Sequence, residues 1–476
     1  MTSTTPQSVD RDTNTSEPRQ RGWSAWSRMG LSGTVFVAGA WLLMTQSLPY
    51  AVATWNPELA LWLNPRHPAP LLARATQLRD TLIRSTTAKD TGSVVDVTAP
   101  LGTADADSSA TAGTETQNPS DERSARPDTQ HDAVRAEIRK LARRVLAVEP
   151  LSARAHRLLG EFSQDRATAR RHMQAAVARS RRESIAVLWL LNDRFVARDY
   201  AEAVTLADIL LRTRPALDDY AIGYIARIAE IPTGEKLLVA KLARAPSWRS
   251  RVLRRLAQFT SLPTTPLNIM RSLKETGAPV LAEDQTDYLQ HLISDGAIEL
   301  AYTAWLQLLP EDEFAKTGFL NNSGFESRPR PIAFDWRIDP ARNAIAGFAP
   351  KPGVPDERAF HIMFRNGRIT FPSLKQTLVL GAGAYQLDWM SLGRVRGKRG
   401  LKWRVICQSG ATVAESEPLL GRYWIWTRFS MRFVVPDDAK CRSQMLELIH
   451  DARSESERFL DGEIWLDELS LIRAPD

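Results

Sequence analysis

Two acidic residues near the C-terminus, Glu463 and Asp467, have the residue type and the shared strand parity that the acid and base of a glycosidase would need. Four residues of extended strand separate them by about 13 Å, which is too far even for an enzyme that inverts configuration. The sequence contains no GxSxG, HExxH or Walker motif, and its seven His never approach metal-ligand spacing. The sequence therefore predicts a protein without catalytic activity.

A short glycine turn, Gly381 to Gly383, has the small residues of a nucleotide-binding loop. A phosphate-binding loop must open a helix whose N–H groups face the phosphate, whereas this turn joins two strand-like runs. We therefore predict a hairpin turn at this position.

A segment that reads Tyr-Trp-Ile-Trp offers flat rings next to polar donors, which is the combination that binds sugars. Its two tryptophans, Trp424 and Trp426, share strand parity with Arg428 and Arg432, and this parity points them away from the core. These four residues are the candidate glycan-binding residues. The alternative is partial burial of the two rings under a loop. Because large aromatic side chains are usually buried, we expect core positions for Trp336, Trp389 and Trp465.

Composition limits the classes of protein to be considered. The 476 residues favour two or three folded units. The formal net charge of +7 is spread along the chain, so nucleic acid is not an expected partner. Two Cys and seven His exclude zinc ribbons, iron–sulfur clusters and a disulfide-dense scaffold.

An uncharged stretch near the N-terminus predicts a transmembrane helix over Met29–Leu48, because about 20 helical residues cross a bilayer. Four arginines precede this stretch, whereas the first cation after it is Arg66, so residues 1–28 should form a cytosolic tail. The prediction is a single-pass protein of a bacterial inner membrane, with 29–53 as the span and its flank and the C-terminal domains in the periplasm. A signal peptide cleaved near Ala51-Val52-Ala53 is the alternative.

The next segments differ sharply in composition. Residues 54–85 predict membrane-proximal helices. Residues 86–130 lack aromatic side chains and are rich in Thr, Ser, Ala, Asp and Gly, which predicts a disordered linker. From 131 to 320 the apolar residues recur with a helical period, as in the stripe Val134, Ile138, Leu141, Val145 and Val148.

The helical region contains an internal repeat of 32 residues, marked by Leu159-Gly160, Leu191-Asn192 and Gly223-Tyr224. A period in the low thirties is typical of helix pairs. These positions, with the small residues Ala203 and Ala207 and the terminal Pro215, resemble degenerate tetratricopeptide repeats. The resemblance implies a concave face that binds a protein partner, and a simple spacer is the alternative.

The C-terminal region, 321–476, changes to short alternating runs that predict eight or nine strands in an all-β sandwich. The segments at 322–326, 334–336 and 462–471 occur in the same order as the signatures of galactose-binding-like carbohydrate-binding modules, which they resemble. The resemblance implies a jelly-roll sandwich that binds a saccharide without chemistry. It also implies a structural calcium held by Glu326 and Asp467, and ordinary surface acids are the alternative.

The two cysteines, Cys407 and Cys441, predict a disulfide. Cys407 falls on the buried face of its strand, Cys441 lies at the start of another, and an exported domain would meet an oxidising compartment. Two unpaired buried thiols are the alternative.

The combined prediction is a multidomain, membrane-anchored accessory protein in envelope or exopolysaccharide assembly or export. Its tetratricopeptide-like repeats would bind a protein partner, and its sandwich would contact a polysaccharide. A purely protein-binding scaffold whose sandwich does not bind sugar is the alternative.

Overall fold

The computed structural model describes residues 37–90, 126–278, 280–365, 367–371 and 373–474. The chain folds into two compact units, Met1–Ala186 and Val187–Asp476. The first unit is helical, and the second contains further helices and the β-sandwich.

The predicted transmembrane helix is wrong. The described helical residues at the N-terminus run from 37 to 52 and include a π-helical turn, Leu43–Ser47, followed by α1 (Leu48–Val52). No helix among the described residues is both long and apolar enough to cross a bilayer. The predicted localisation, as a single-pass protein of the inner membrane, is therefore wrong as well. Residues 29–36 of the predicted span lie outside the described residues.

The first unit is built from helices that bury an Ala- and Leu-rich stripe. Leu71 and Ala75 pack with Ile138, Val145 and Leu158 in one core cluster. Residues 91–125 of the predicted linker lie outside the described residues, and its two ends, 86–90 and 126–130, are helical. The helices of this unit are α2 (Pro57–Leu63), α3 (Pro68–Asp90), α4 (Arg126–Val148), α5 (Ala153–Glu161) and α6 (Arg166–Arg179).

Helical structure continues to residue 314. The elements are α7 (Ser184–Val196), α8 (Tyr200–Thr213), α9 (Asp218–Ala229), α10 (Pro232–Leu242), α11 (Arg249–Arg255), α12 (Thr265–Glu275), α13 (Ala282–Ser294), α14 (Ile298–Leu308) and α15 (Glu311–Phe314). α5, α7, α9 and α11 begin at intervals in the low thirties, as the repeat predicted. Tyr224 donates a hydrogen bond to Asn192 across this interval, at 2.9 Å. The helical region is therefore confirmed, and its assignment to tetratricopeptide repeats stays a prediction.

The predicted all-β sandwich is confirmed, and its described residues form ten strands where eight or nine were predicted. Its two five-stranded sheets have the orders β1-β4-β9-β6-β7 and β2-β3-β10-β5-β8. The strands are β1 (Arg337–Ile338), β2 (Ala344–Lys351), β3 (Val354–Phe364), β4 (Leu374–Leu378), β5 (Gly383–Gly397), β6 (Leu401–Cys407), β7 (Thr412–Glu415), β8 (Gly421–Val435), β9 (Gln444–His450) and β10 (Leu460–Arg473).

Alternation of buried and less buried residues, which is strict in β4 and β6, fills the space between the two sheets with apolar side chains. Trp336, Trp389 and Trp403 lie in this core, at most 2% exposed. The structure joins Cys407, at the end of β6, to Cys441, in the turn before β9, by a disulfide whose α-carbons are 4.7 Å apart. The turn at Gly381 to Gly383 leads directly into β5 and opens no helix. The predicted hairpin is wrong, because the turn connects β4 to β5 and these strands belong to different sheets.

Candidate functional site

The candidate site lies on the outer face of the sheet β2-β3-β10-β5-β8, the face directed away from the sandwich core. In β10, Ile464 and Leu466 are fully buried between the sheets. Since successive side chains of a strand point to opposite faces, Glu463 and Trp465 belong to the outer face. The same alternation in β3 places His361 there.

Register aligns these residues in a row across the sheet. Trp465 pairs with His361 on one side and with Leu392 on the other, and His361 pairs with Gly347. The rings of His361 and Trp465 are stacked, with centroids 3.8 Å apart and planes 13° apart. A Cβ added at Gly347 would meet nothing within 4 Å, so the row ends in open space.

The stacked pair carries a polar group at its rim. His361 Nε2 lies 3.0 Å from Glu463 Oε2, and this contact fixes the orientation of the imidazole ring beside the indole. The row therefore combines an aromatic surface with an adjacent carboxylate, a combination that can contact the apolar face and the hydroxyl groups of a sugar ring.

A bulge in β8 supplies a second aromatic surface. Thr427 pairs with Ser391 and Tyr423 pairs with Gly393, so the three residues from Trp424 to Trp426 lie opposite one residue of β5. Because two extra residues preserve strand parity, Trp424 stays on the outer side. Its side chain is 75% exposed, and the Arg422 guanidinium carbon lies 5.8 Å from its ring centroid.

Trp426 is only partly exposed, because its ring lies against Lys351. The Lys351 Nζ is 5.3 Å from the ring centroid. β8 and β2 form opposite edges of the sheet, so this cation–π contact closes one end of the outer face. The alternative of partial burial therefore describes Trp426, whereas Trp424 remains accessible.

The Lys351 ammonium is surrounded by carboxylates. Its Nζ lies 2.7 Å from Asp467, 3.0 Å from Glu357 and 3.2 Å from Glu468. Burial alone would lower the pKa of Lys351, but the hydrogen bonds to these carboxylates outweigh burial and raise the pKa above its ordinary value. The lysine is therefore charged whenever the protein is folded near neutral pH.

The Lys351 ammonium is bonded to Asp467, one of the two carboxylates of the predicted calcium site. A Cβ added at Gly324 would lie 3.9 Å from Glu326 Oε1 and 4.0 Å from Asp467 Oδ1, so the two carboxylates approach the same position. However, Asp467 bonds to the Lys351 ammonium, and Glu326 accepts a hydrogen bond from the Arg358 N–H at 3.1 Å. The described residues contain no group of three carboxylate, His or Cys side chains that could hold a metal ion. A calcium ion would have to compete with an internal cation for Asp467.

The two predicted arginines lie on the exposed side of β8. Arg432 donates a hydrogen bond from Nε to Gln386 at 3.0 Å. Arg428 pairs in register with Met390, and neither arginine forms an ion pair with any described residue. The four predicted glycan-binding residues therefore share one edge strand, with Trp424, Arg428 and Arg432 exposed.

Sequence reasoning placed one aromatic residue wrongly. Trp336 and Trp389 are in the core as expected, whereas Trp465 is partly exposed on the outer face. The sequence does indicate an outward direction for Trp465, because this residue alternates with the apolar residues Ile464 and Leu466. It does not indicate the stack with His361, because that contact depends on which strand lies beside β10.

The acidic residues of this face have structural partners. Glu463 contacts His361, and Asp467 is 3% exposed in its side chain and bonds to Lys351. Neither carboxylate is arranged as the free acid or base that glycoside hydrolysis requires.

Comparisons with known proteins give one kind of match. No family model matches the chain, and no curated protein matches it. Among solved structures the chain is similar to a family 4 carbohydrate-binding module, with 13% identity and a TM-score of 0.25 over 33% of this chain and 99% of that one. It is similar to the family 22 xylan-binding domain of a Paenibacillus barcinonensis protein, with 11% identity and a TM-score of 0.23 over 32% of this chain and 94% of that one.

A third solved structure is a carbohydrate-binding module in complex with β-1,4-galactotriose. It has 15% identity and a TM-score of 0.19, and it covers 33% of this chain and 99% of that module. Each of these three similarities extends over no more than 33% of this chain.

Proposed function

We propose that this chain is a non-catalytic glycan-binding protein whose binding surface is the outer face of the sheet β2-β3-β10-β5-β8. The observation that carries the proposal is the exposed indole of Trp424, 75% accessible, on the same sheet face as the stacked pair His361 and Trp465. Other large aromatic side chains of the sandwich, such as Trp336 and Trp389, are buried.

The exposed indole of Trp424 leaves apolar area in water, which a bound partner would cover. Sugar rings present a flat apolar face of C–H groups with hydroxyl groups at the edge. An aromatic plane beside arginine donors complements both parts of such a ring. The structural partners of the two acids on this face, Glu463 and Asp467, support binding without chemistry.

The test of this proposal is a Trp424→Ala variant of the full chain. We expect the wild-type protein to be retarded by at least one soluble polysaccharide in affinity electrophoresis against a panel of acidic and neutral polymers. Since a stacked aromatic contact contributes about 1 kcal/mol beyond area burial, the variant should bind at least about fivefold more weakly.

The matched control is Trp62→Ala. Trp62 is 78% exposed but lies in α2, outside the sandwich, so its removal should leave glycan affinity unchanged. Circular dichroism checks that both variants are folded. If no polymer retards the wild-type protein, or if Trp424→Ala binds as tightly as wild type, the proposal is wrong.

A protein-binding scaffold is the second candidate function, and Ile425 favours it. This residue is 77% exposed beside Trp424 and offers no hydrogen bond to a sugar. An Ile425→Ser variant separates the two functions, because a protein partner would lose an apolar anchor whereas a glycan stacked on Trp424 would lose little. We also propose that the helical repeats bind a protein partner through their packed helix pairs.

A further inference from the structure

We infer, on the basis of the proposed glycan-binding function, that the ligand is an anionic polysaccharide whose carboxylates bind the arginines of β8. Three residues on the outer side of this strand are arginines, namely Arg422, Arg428 and Arg432. All three are exposed, and none forms an ion pair with a described residue. No acidic residue occurs in β8.

The register brings further positive charge to the same place. Arg394 of β5 is directly opposite Arg422. Like charges that face each other across two strands destabilise a sheet. The acids of this face do not lie directly opposite the three arginines of β8. Asp388 faces Ser430, Glu463 faces Arg394, and Asp461, 3.7 Å from Arg394, also accepts a hydrogen bond from Arg396 at 2.8 Å.

Arg404, on the other sheet of the sandwich, shows an arginine with a cross-strand carboxylate. On the other sheet, Arg404 faces Glu447 across the strand pair β6 and β9 and donates a hydrogen bond to it at 2.7 Å. The arginines of β8 thus lack the cross-strand carboxylate that Arg404 has. An anionic ligand would supply that missing charge.

The geometry of the arginine side chain indicates which kind of anion it would bind. A guanidinium group offers parallel N–H donors that match the two oxygens of a carboxylate. With Trp424 between Arg422 and Arg428 along β8, a sugar ring stacked on the indole would place an attached carboxylate among guanidinium groups. These observations point to a polymer of uronic acids rather than to a neutral glycan.

The test compares one polymer with and without its charge. Polygalacturonate and alginate are each titrated against the full-length protein, together with the carboxyl-reduced form of each polymer, which keeps the chain but not the anion. We expect at least tenfold tighter binding of the native polymers at about 0.05 M salt, and a much smaller difference at about 0.5 M salt, where charges are screened within a few ångströms.

The variant R422Q/R428Q/R432Q should lose at least tenfold in affinity for the native polymers and less than twofold for the reduced ones. Trp424→Ala should weaken both kinds of polymer. The matched control is R181Q/R182Q/R214Q, which removes the same number of charges from exposed positions outside the sandwich and should bind as wild type does.

The other possible results would refute either the anionic ligand alone or both proposals. Equal binding of native and reduced polymers, or an arginine variant that binds as wild type does, would refute the anionic ligand and leave the glycan-binding function intact. Binding of duplex DNA or heparin as tight as that of the polyuronates would also refute it, because the arginines would then attract any polyanion. Absence of binding to every polysaccharide refutes both proposals.

Discussion

Lys351 shows how a single residue can organise a surface. Its side chain is 9% exposed and reaches Asp467, which is 3% exposed, while Trp426 covers the ammonium from the other side. A buried cation and a buried anion offset each other's desolvation only while both are present. The position of Trp426, and with it the closed end of the outer face, therefore depends on this lysine.

Replacement of Lys351 by methionine should destabilise the sandwich. Asp467 would remain buried without a cation, and loss of one partner of a buried ion pair costs about 3 to 5 kcal/mol. Hydrogen exchange measured by mass spectrometry should show lower protection of peptides from β10 and β2, with helical peptides unchanged. Lys440→Met removes an exposed lysine and serves as the control.

The same experiment addresses the predicted calcium. Because the Lys351 ammonium already neutralises Asp467, excess calcium should not raise the protection of β10 in the wild-type protein relative to chelator. A calcium-dependent rise in wild type would contradict this expectation and restore the site of Glu326 and Asp467. Unchanged protection in Lys351→Met would show instead that the ion pair is not structural.

At the scale of elements, β8 combines two roles. Its second half, from Phe429 onward, alternates between the core and solvent, whereas the bulge before it releases the strand from tight pairing with β5. A bulge at a sheet edge redirects side chains without disturbing the strands behind it. Exposure of Trp424 is thus a property of the bulge and not of the residue type.

The disulfide between Cys407 and Cys441 connects β6 to the turn before β9. The bonded residues are 34 positions apart, so the bond should stabilise the sandwich by about 3 to 4 kcal/mol through the entropy of the unfolded chain. A Cys407→Ala/Cys441→Ala variant should lose this amount, measured as lower hydrogen-exchange protection of β6 and β9. Reductant should affect the wild-type protein and not the variant.

Alkylation before and after reduction, read by mass spectrometry, checks the bond itself. Protein purified without reductant should acquire alkyl groups on its two cysteines only after reduction. Two modified thiols without reductant would contradict the disulfide.

At the scale of the whole molecule, a histidine pair should make the stability of the first compact unit depend on pH. In the first unit, the Nδ1 atoms of His156 and His172 lie 3.2 Å apart. Burial, followed by nearby positive charge, lowers the pKa of both imidazoles below the ordinary value of 6.5. The folded state therefore binds protons less readily than the unfolded chain.

Acid should destabilise the first unit, because protons bind the two imidazoles more tightly in the unfolded chain than in the folded state. Stability from this pair is complete above the unfolded pKa of about 6.5 and is lost as the pH falls below it. Hydrogen exchange of α5 and α6 should therefore accelerate, relative to the intrinsic rate, on acidification from neutral pH. His172→Gln should reduce this dependence, and an unchanged pH profile in that variant would show that the pair is not responsible.

Several features of this protein could be predicted from short-range patterns in the sequence. The helical period marked the repeat region, and strand alternation marked the sandwich and the outward direction of Trp424, because each depends only on neighbours along the chain. An apolar run was not sufficient for a membrane span. Its described part ends at Val52 after a π-helical turn, and Val52 is buried with Ala60 against other helices.

The sequence by itself determined the types of element, their order and which side chains could bind a ligand or react. Only the tertiary structure decided which residues meet, as the stack of His361 on Trp465 and the contact of Lys351 with Asp467 illustrate. Both pairs are distant in sequence and depend on the strand order β2-β3-β10-β5-β8. Strand order follows from how the whole core packs, because periodicity specifies the face of a strand but not its neighbour.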